Sequence, residues 1–308
     1  MKSQFRHIAL IGKTHATLVG SALTASRQVL DKLTHFLHDQ GCDVTIEQET
    51  AAHLGLSGHQ ELDVAGIGAE CDLALVVGGD GSMLGFGRQL APYGVPLIGI
   101  NQGRLGFITD IPLDKIEATL RPMLQGEYTE DRRSLLQAKV IRDDRCVFDA
   151  LALNDVVVNR GGTSGMVELR VEVDGRFVAN QRADGLIIAT ATGSTGYSMA
   201  AGGPILHPGV EAIVVNPICA MSLSSRPLVV PPRAQLAVWP LGEANRKVRL
   251  WKDGAHACVL EPGDRCRVGR APHAALMVLL EQSPSYYRSL SRKLHWAGSL
   301  TAAEPSPN

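Results

Sequence analysis

The stretch that decides the fold is DLALVVGGDGSML, Asp72 to Leu84. Its unbroken apolar run, stopped by glycines, reads as a strand buried on both faces, the kind a parallel sheet uses. A helix is expected to open near Ser82. Gly78, Gly79 and Gly81 crowd one acid, Asp80, at the point where strand gives way to helix. In an open parallel sheet, ligands bind just beyond the carboxyl ends of the strands. Glycines there are expected to reach positive φ and let backbone N–H groups approach a bulky anion, helped by the positive end of the helix dipole. A carboxylate within such a loop suits phosphoryl transfer, where it takes the proton of an attacking hydroxyl. The plain alternative is a tight turn with Asp80 as a helix N-cap.

Working outward, FRHIALI (5–11), DVTIEQE (43–49), CDLALVVGG (71–79) and VPLIGIN (95–101) read as strands. Leu18, Ala22, Val29, Leu33, Phe36 and Leu37 recur at helical spacing between Ala16 and Gln40, with Gly41 as C-cap. A short helix follows the third strand, and LDKIEATLRPMLQG (113–126) forms a longer one. Strands alternating with helices predict an α/β N-terminal domain with a parallel sheet over residues 1–126. After Gly126 the texture becomes β-rich, and a second domain is expected over 127–275. Asp174-Gly175 in VEVDGRFV marks a tight hairpin, and QLAVWPL, KVRLWKDG and RCRVG read as further strands. SYYRSLSRKLHW turns helical, so 276–308 is expected to be a helical tail returning to the first domain, with a frayed end.

Thirty Lys and Arg against thirty-one Asp and Glu leave a net charge of -1, so no global charge draws the chain to nucleic acid or an anionic membrane. The longest apolar stretches fall short of the roughly 20 residues that span a bilayer. Six scattered cysteines without a CxxC, and an opening too short for a secretory signal, predict a cytoplasmic protein with free thiols. Gly12-Lys13-Thr14 is no P-loop, because His7 stands where the earlier glycine is required. Leu84 likewise spoils a dinucleotide fingerprint at GDGSML. The ten histidines form no tight ligand set, and no metal is assigned to protein side chains.

GGDGSML resembles the GGDG signature shared by NAD kinases, 6-phosphofructokinases and diacylglycerol or sphingosine kinases. Four further segments match the NAD kinases in order: LNDVVV (153–158), DGLIIATATGSTGYSMAAGGPIL (184–206), NQGRLGFITD (101–110) and SLSSRPLVV (222–230). The closing YRSLSRKLHW agrees too, so the similarity covers roughly residues 5–298. The resemblance implies an ATP-dependent kinase that phosphorylates the 2′-hydroxyl of the adenosine ribose of NAD to give NADP, with a divalent metal, Mg2+, as cofactor. It implies that Asp80 is the catalytic base, with Gly78, Gly79 and Gly81 at the phosphates. Asn154 and Asp155 would hydrogen-bond the nucleotide, although an Asx turn is their plain alternative. Asp184 and Arg182 would contact the dinucleotide and its pyrophosphate region, unless they only pair with each other. Thr195, Gly196, Tyr197, Ser198, Met199 and Ala200 would enclose the adenine, with Phe107 as an apolar wall. Gly196 and Ala200 depart from common family residues, which implies a looser, less polar adenine pocket; Ala220 and Met221 stand where the family commonly has a PH-like pair, whose role this chain then lacks, and Ala255 replaces a common Gln and removes one ligand contact. A homodimer or homotetramer is implied, without choosing between them. A lipid kinase and a non-catalytic dinucleotide sensor are the competing functions, and polyphosphate as donor or NADH as acceptor stays open.

Overall fold

The computed structural model describes residues 3–13, 20–102, 106–109, 111–162, 165–242, 247–280 and 286–294. Two compact units result: one takes 1–83, 95–131 and 277–308, the other 84–94 and 132–276.

The first unit runs β1 (His7–Ile11), α1 (Ser21–Asp39), β2 (Asp43–Glu47), α2 (Gln48–Leu54), β3 (Gln60–Leu62), α3 (Val64–Glu70) and β4 (Leu73–Gly78). Helix α4 (Asp80–Leu90) starts here, followed by β5 (Leu97–Asn101), β6 (Ile111–Pro112) and α5 (Ile116–Leu124). The strands lie in the order β3-β2-β1-β4-β5, every neighbouring pair parallel. The order reverses between β1 and β4, the switch point where such sheets leave a crevice at their carboxyl ends. Asp80 follows β4 at that end. Leu30, Leu33 and Leu37 of α1 pack with Ile8, Leu10, Leu73 and Leu75 of the strands in one buried cluster. Each buried leucine contributes roughly 2 kcal/mol of transfer free energy.

Local chemistry trims the elements expected from sequence. The second strand ends at Glu47 rather than Glu49, because the Glu47 carboxylate accepts the N–H groups of Glu49 and Thr50 and so caps α2. The described part of the first helix begins at Ser21, so Ala16 and Leu18 lie outside the described residues. Gly41 follows Gln40 with φ 79°, the left-handed conformation that ends a helix.

In the second unit, β7 (Tyr128–Arg142), β8 (Arg145–Ala152), β9 (Asp155–Asn159), β10 (Val167–Val173), β11 (Arg176–Ala183) and β12 (Gly185–Ala189) come first, β7 beginning in the other unit. The single-turn α6 (Tyr197–Ala200) precedes β13 (Ile213–Ile218), β14 (Leu228–Val230), β15 (Leu236–Leu241), β16 (Val248–Lys252), β17 (Ala255–Leu260) and β18 (Arg265–Leu280). One sheet has the antiparallel order β14-β13-β12-β9-β16-β17. A second antiparallel set, β11-β10-β15-β18, shares one core with it, where Val156, Val158, Leu186 and Ile188 meet Leu169, Val171, Leu236 and Val238. This is sandwich packing, with alternate residues turned inward. The expected turn at Asp174-Gly175 is present with φ 51° and 72°, the paired positive values of a tight primed turn. The same device joins β16 to β17 at Asp253-Gly254, with φ 44° and 78°.

Helix α7 (Tyr286–Leu294) belongs to the first unit, buries Leu290 and sets the Lys293 ammonium 4.2 Å from the centre of the Phe107 ring. His295, Trp296 and the residues after them lie outside the described set. Among the described residues no helix is long and apolar enough to cross a membrane.

Candidate active site

In the first unit the site is built around Asp80. Its side chain does not cap its own helix. Oδ2 accepts the N–H of Phe107 at 2.6 Å. Oδ1 accepts the N–H groups of Ile108 and Thr109 at 3.1 and 3.2 Å, and the Thr109 hydroxyl at 3.1 Å. The carbonyl of Gly79 begins the helix instead, accepting from Ser82 and Met83. Among the described residues three donors reach Oδ1 and one reaches Oδ2, which leaves an open acceptor position on Oδ2. The carboxylate is thus aimed by a segment 27 to 29 residues away in the chain.

The glycine expectation needs correction. None of Gly78, Gly79 and Gly81 has positive φ. Gly78 is required by packing, since a Cβ there would stand 2.6 Å from the Ser82 hydroxyl. Around the Cβ positions of Gly79 and Gly81, by contrast, nothing lies within 4 Å. These two glycines border open space rather than bending the backbone. Gly106, which sequence reasoning passed over, is the most constrained: its Cβ would fall 1.7 Å from Asp80 Oδ1. The LGF spacing could have pointed to it, but the clash exists only once the loop folds over Asp80.

The second unit contains a cavity of about 440 Å3 lined by Leu84, Asn154, Asp155, Val157, Asn159, Tyr197, Trp251, Asp253 and Gly254. Strand periodicity explains its floor. Val156 and Val158 of β9 enter the sandwich core, so Asp155, Val157 and Asn159 face the other way. Trp251 of β16 pairs across from Val157, and its indole N–H donates to Asn159 Oδ1 at 3.0 Å. Tyr197 is exposed rather than a core aromatic.

Asp253 organises the polar end. Its side chain is 1% exposed. Oδ1 accepts the N–H groups of Asn154 and Asp155, Oδ2 that of Leu153, and the Arg88 guanidinium pairs with Oδ2 at 2.5 Å. Thr190 grips the other side, its N–H and hydroxyl donating to the carbonyls of Asn154 and Leu153. Asn154 is thereby held through its backbone while its side-chain Oδ1 stays buried without a partner. Burial, with the Asp253 charge adding to it, pushes the Asp155 carboxyl up to about 7. Sequence reasoning did not rank Asp253 or Arg88. The Asp-Gly turn signal was there at 253–254, but a turn aspartate is ordinarily solvated.

Of the residues expected at the nucleotide, the structure brings Asn154, Asp155 and Tyr197 to this cavity. Arg182, Asp184, Thr195, Gly196, Ser198, Met199 and Ala200 do not line it. Ser198 is fully buried with its hydroxyl beside the Asn216 amide, and Thr195 donates to the Thr192 carbonyl. Asp184 pairs with Arg160 at 3.4 Å, not with Arg182. Of NQGRLGFITD, residues 103–105 and 110 lie outside the described set.

The chain is similar to known proteins along nearly its whole length. The family described as ATP-NAD kinase N-terminal domain matches residues 10–128, and ATP-NAD kinase C-terminal domain matches 153–280. An NAD kinase of Polaromonas sp. (strain JS666 / ATCC BAA-500) is 57% identical over 96% of this chain and 98% of its own. One from Delftia acidovorans is 53% identical with the same coverage. In fold, the chain resembles a yeast NADH kinase crystallised with NADH, with TM-score 0.85, 21% identity, and coverage of 98% and 94% of the two chains. An Archaeoglobus fulgidus NAD kinase in complex with ATP gives TM-score 0.69 at 22% identity, covering 95% and 100%. Two family domains in sequence order and relatives above half identity over nearly the whole length establish that the chain belongs to the ATP-NAD kinase family, as a phosphotransferase that converts NAD to NADP with ATP.

Proposed function

We propose that Asp80 is the general base of this kinase, acting on the 2′-hydroxyl of the adenosine ribose of NAD. The open acceptor position on Oδ2 takes the hydroxyl proton as the 2′-oxygen forms its bond to the γ-phosphorus of ATP. The bond from that phosphorus to the bridging oxygen breaks, and ADP leaves. Gly79 and Gly81 give the phosphates room beside the start of α4, and Gly78 keeps the loop closed on Ser82. Asn154 Oδ1 and the Asp155 carboxyl hold the nucleotide, since an unpaired amide oxygen and a carboxyl that titrates near neutrality can each accept from a sugar hydroxyl. Tyr197 covers the adenine together with Thr195, Gly196, Met199 and Ala200, while the buried Ser198 supports that loop from beneath; Phe107 is an apolar wall, Asp184 reaches the dinucleotide and Arg182 its pyrophosphate region. The single observation that carries the proposal is the fourfold anchoring of Asp80 at the carboxyl end of β4.

Among the described residues no three His, Cys, Asp or Glu side chains could together hold a metal. The described residues form no protein metal cage, so a Mg2+ ion would be held by the ATP phosphates, where it would neutralise their charge. In this reading residues 1–126 carry the GGDG loop, 127–275 the NAD-binding part and 276–308 a tail on the first. The enzyme works in the cytoplasm, a reading supported by six free cysteines. It assembles as a homodimer or homotetramer, supported by the apolar Met221, Leu223, Leu228 and Val229 exposed on and before the edge strand β14.

Incubation with Mg-ATP and either NAD or diacylglycerol tests the reaction. NADP is expected from the first and nothing from the second. Phosphate on lipid alone, or NAD binding without turnover, would sink the reading in favour of a lipid kinase or a sensor respectively.

A further inference from the structure

We infer that Arg88 is a positioning residue for NAD, acting through Asp253 on the turn that carries Asn154 and Asp155. The inference rests on those two residues being ligands of the dinucleotide. Arg88 lies in the last turn of α4, with its side chain 17% exposed, and its Nη1 reaches Asp253 Oδ2 at 2.5 Å. Asp253 is otherwise enclosed by backbone. Three successive N–H groups, of Leu153, Asn154 and Asp155, point at its two oxygens at 2.7 to 3.1 Å. Its own N–H returns to the Asp155 carbonyl at 3.0 Å. Aspartate sits here at φ 44°, in the primed turn that joins β16 to β17, which fixes where its carboxylate starts from.

A carboxylate so buried must be paired or give up its charge. Arg88 supplies the pairing cation. Lys252, next in the chain to Asp253, is drawn to it only through space: burial, then the charge of Arg88, lowers the Lys252 pKa, and the Asp253 charge opposes them to a smaller extent. Without Arg88, the buried Asp253 carboxylate loses its guanidinium partner at Oδ2, and its hold on the N–H groups of Leu153, Asn154 and Asp155 is weakened. The turn 153–155 is then held less firmly from the Asp253 side, while Thr190 keeps its grip from the other. The consequence is a change in where the Asn154 amide and the Asp155 carboxyl point, felt by the dinucleotide and not by ATP.

The test measures NAD affinity by calorimetry, and KM for NAD and for ATP, in the full-length enzyme and five variants. Arg88→Gln is expected to weaken NAD binding at least about tenfold with KM for ATP within about twofold, the range over which a small misplacement acts. Arg88→Lys keeps the charge and is expected to recover most of the affinity, though without the planar fork. In Asp253→Asn the buried charge is absent, so adding Arg88→Gln to it is expected to cost less than about twofold, the non-additivity of residues that act together. Should Arg88→Gln alone fail to fold, as judged by circular dichroism, the double variant against Asp253→Asn carries the test. The inference is overturned if Arg88→Gln binds NAD as wild type, if both KM values rise together, or if the two substitutions add in full. Asn154→Ala separates the layers: unchanged NAD affinity there removes the underlying assignment of the turn, whereas weakened affinity there with a silent Arg88→Gln removes only the role of Arg88.

Discussion

Gly106 and Asp80 exclude any side chain between them: a Cβ on Gly106 would lie 1.7 Å from Asp80 Oδ1 and 2.4 Å from its carboxyl carbon. No rotamer relieves a clash made by Cβ itself. Gly106→Ala is therefore expected to swing the Asp80 carboxylate off its donors and lower kcat by about 100-fold, the scale of a displaced general base. Thermal unfolding should still show one cooperative transition. Turnover within about threefold of wild type would mean that the position of Asp80 does not limit the chemistry.

Asp80→Asn keeps the shape but offers N–H groups where the segment 107–109 also donates. Loss of at least ~100-fold in kcat is expected, with NAD affinity changed by less than about fivefold. Single-turnover kinetics at saturating NAD make the measurement. Wild-type turnover would assign the base elsewhere.

Asp155 makes stability depend on pH in an unusual direction. Its carboxyl has an ordinary value of 3.8 and is raised to about 7 in the folded chain by burial and then by Asp253. Below the lower value both states are protonated and the contribution is fully present. Between the two values the unfolded chain gives up the proton first, so this contribution declines as pH rises and is lost once the folded group ionises near 7. Asp155→Asn should flatten the fall in Tm between pH 5 and 8, as followed by scanning calorimetry. An equal fall in both proteins would locate the titration in another group.

Asp253→Ala removes the acceptor of three N–H groups and the partner of Arg88. A cost of about 3 kcal/mol in unfolding free energy is expected, as for breaking one side of a buried pair. Urea denaturation reads it directly, and a loss below 1 kcal/mol would show that the turn is held from Thr190 alone.

Chelation should separate catalysis from folding. With no metal cage among the described residues, EDTA is expected to abolish NADP formation while leaving Tm within about 1 °C. A drop of several degrees would reveal a structural cation.

Much of the architecture was legible along the chain, because β4 is a continuous apolar run ended by glycines and Asp174-Gly175 carries the φ signature of a tight turn. Strand β13 was not, since Pro217, next to last in it, speaks against a strand on local grounds. Alternation in LNDVVVN determined that Asp155, Val157 and Asn159 share a face, but nothing local said which face meets solvent.

The sequence by itself determined the parallel α/β sheet, the β-rich second part, the kinase family and the place of Asp80 just past a strand end, all of which rest on periodicity, turn chemistry or short motifs. Only the tertiary structure decided that Gly106 makes room for Asp80, that Asp253 faces inward to hold Asn154 and Asp155, and that Ser198 is sealed in the interior. The reason is physical: propensity and pattern act over a few residues, whereas a carboxylate's role depends on which distant donors surround it. For Asp80 those donors lie 27 to 29 residues away, and for Asp253 they lie 98 to 100 residues away, with Arg88 at 165.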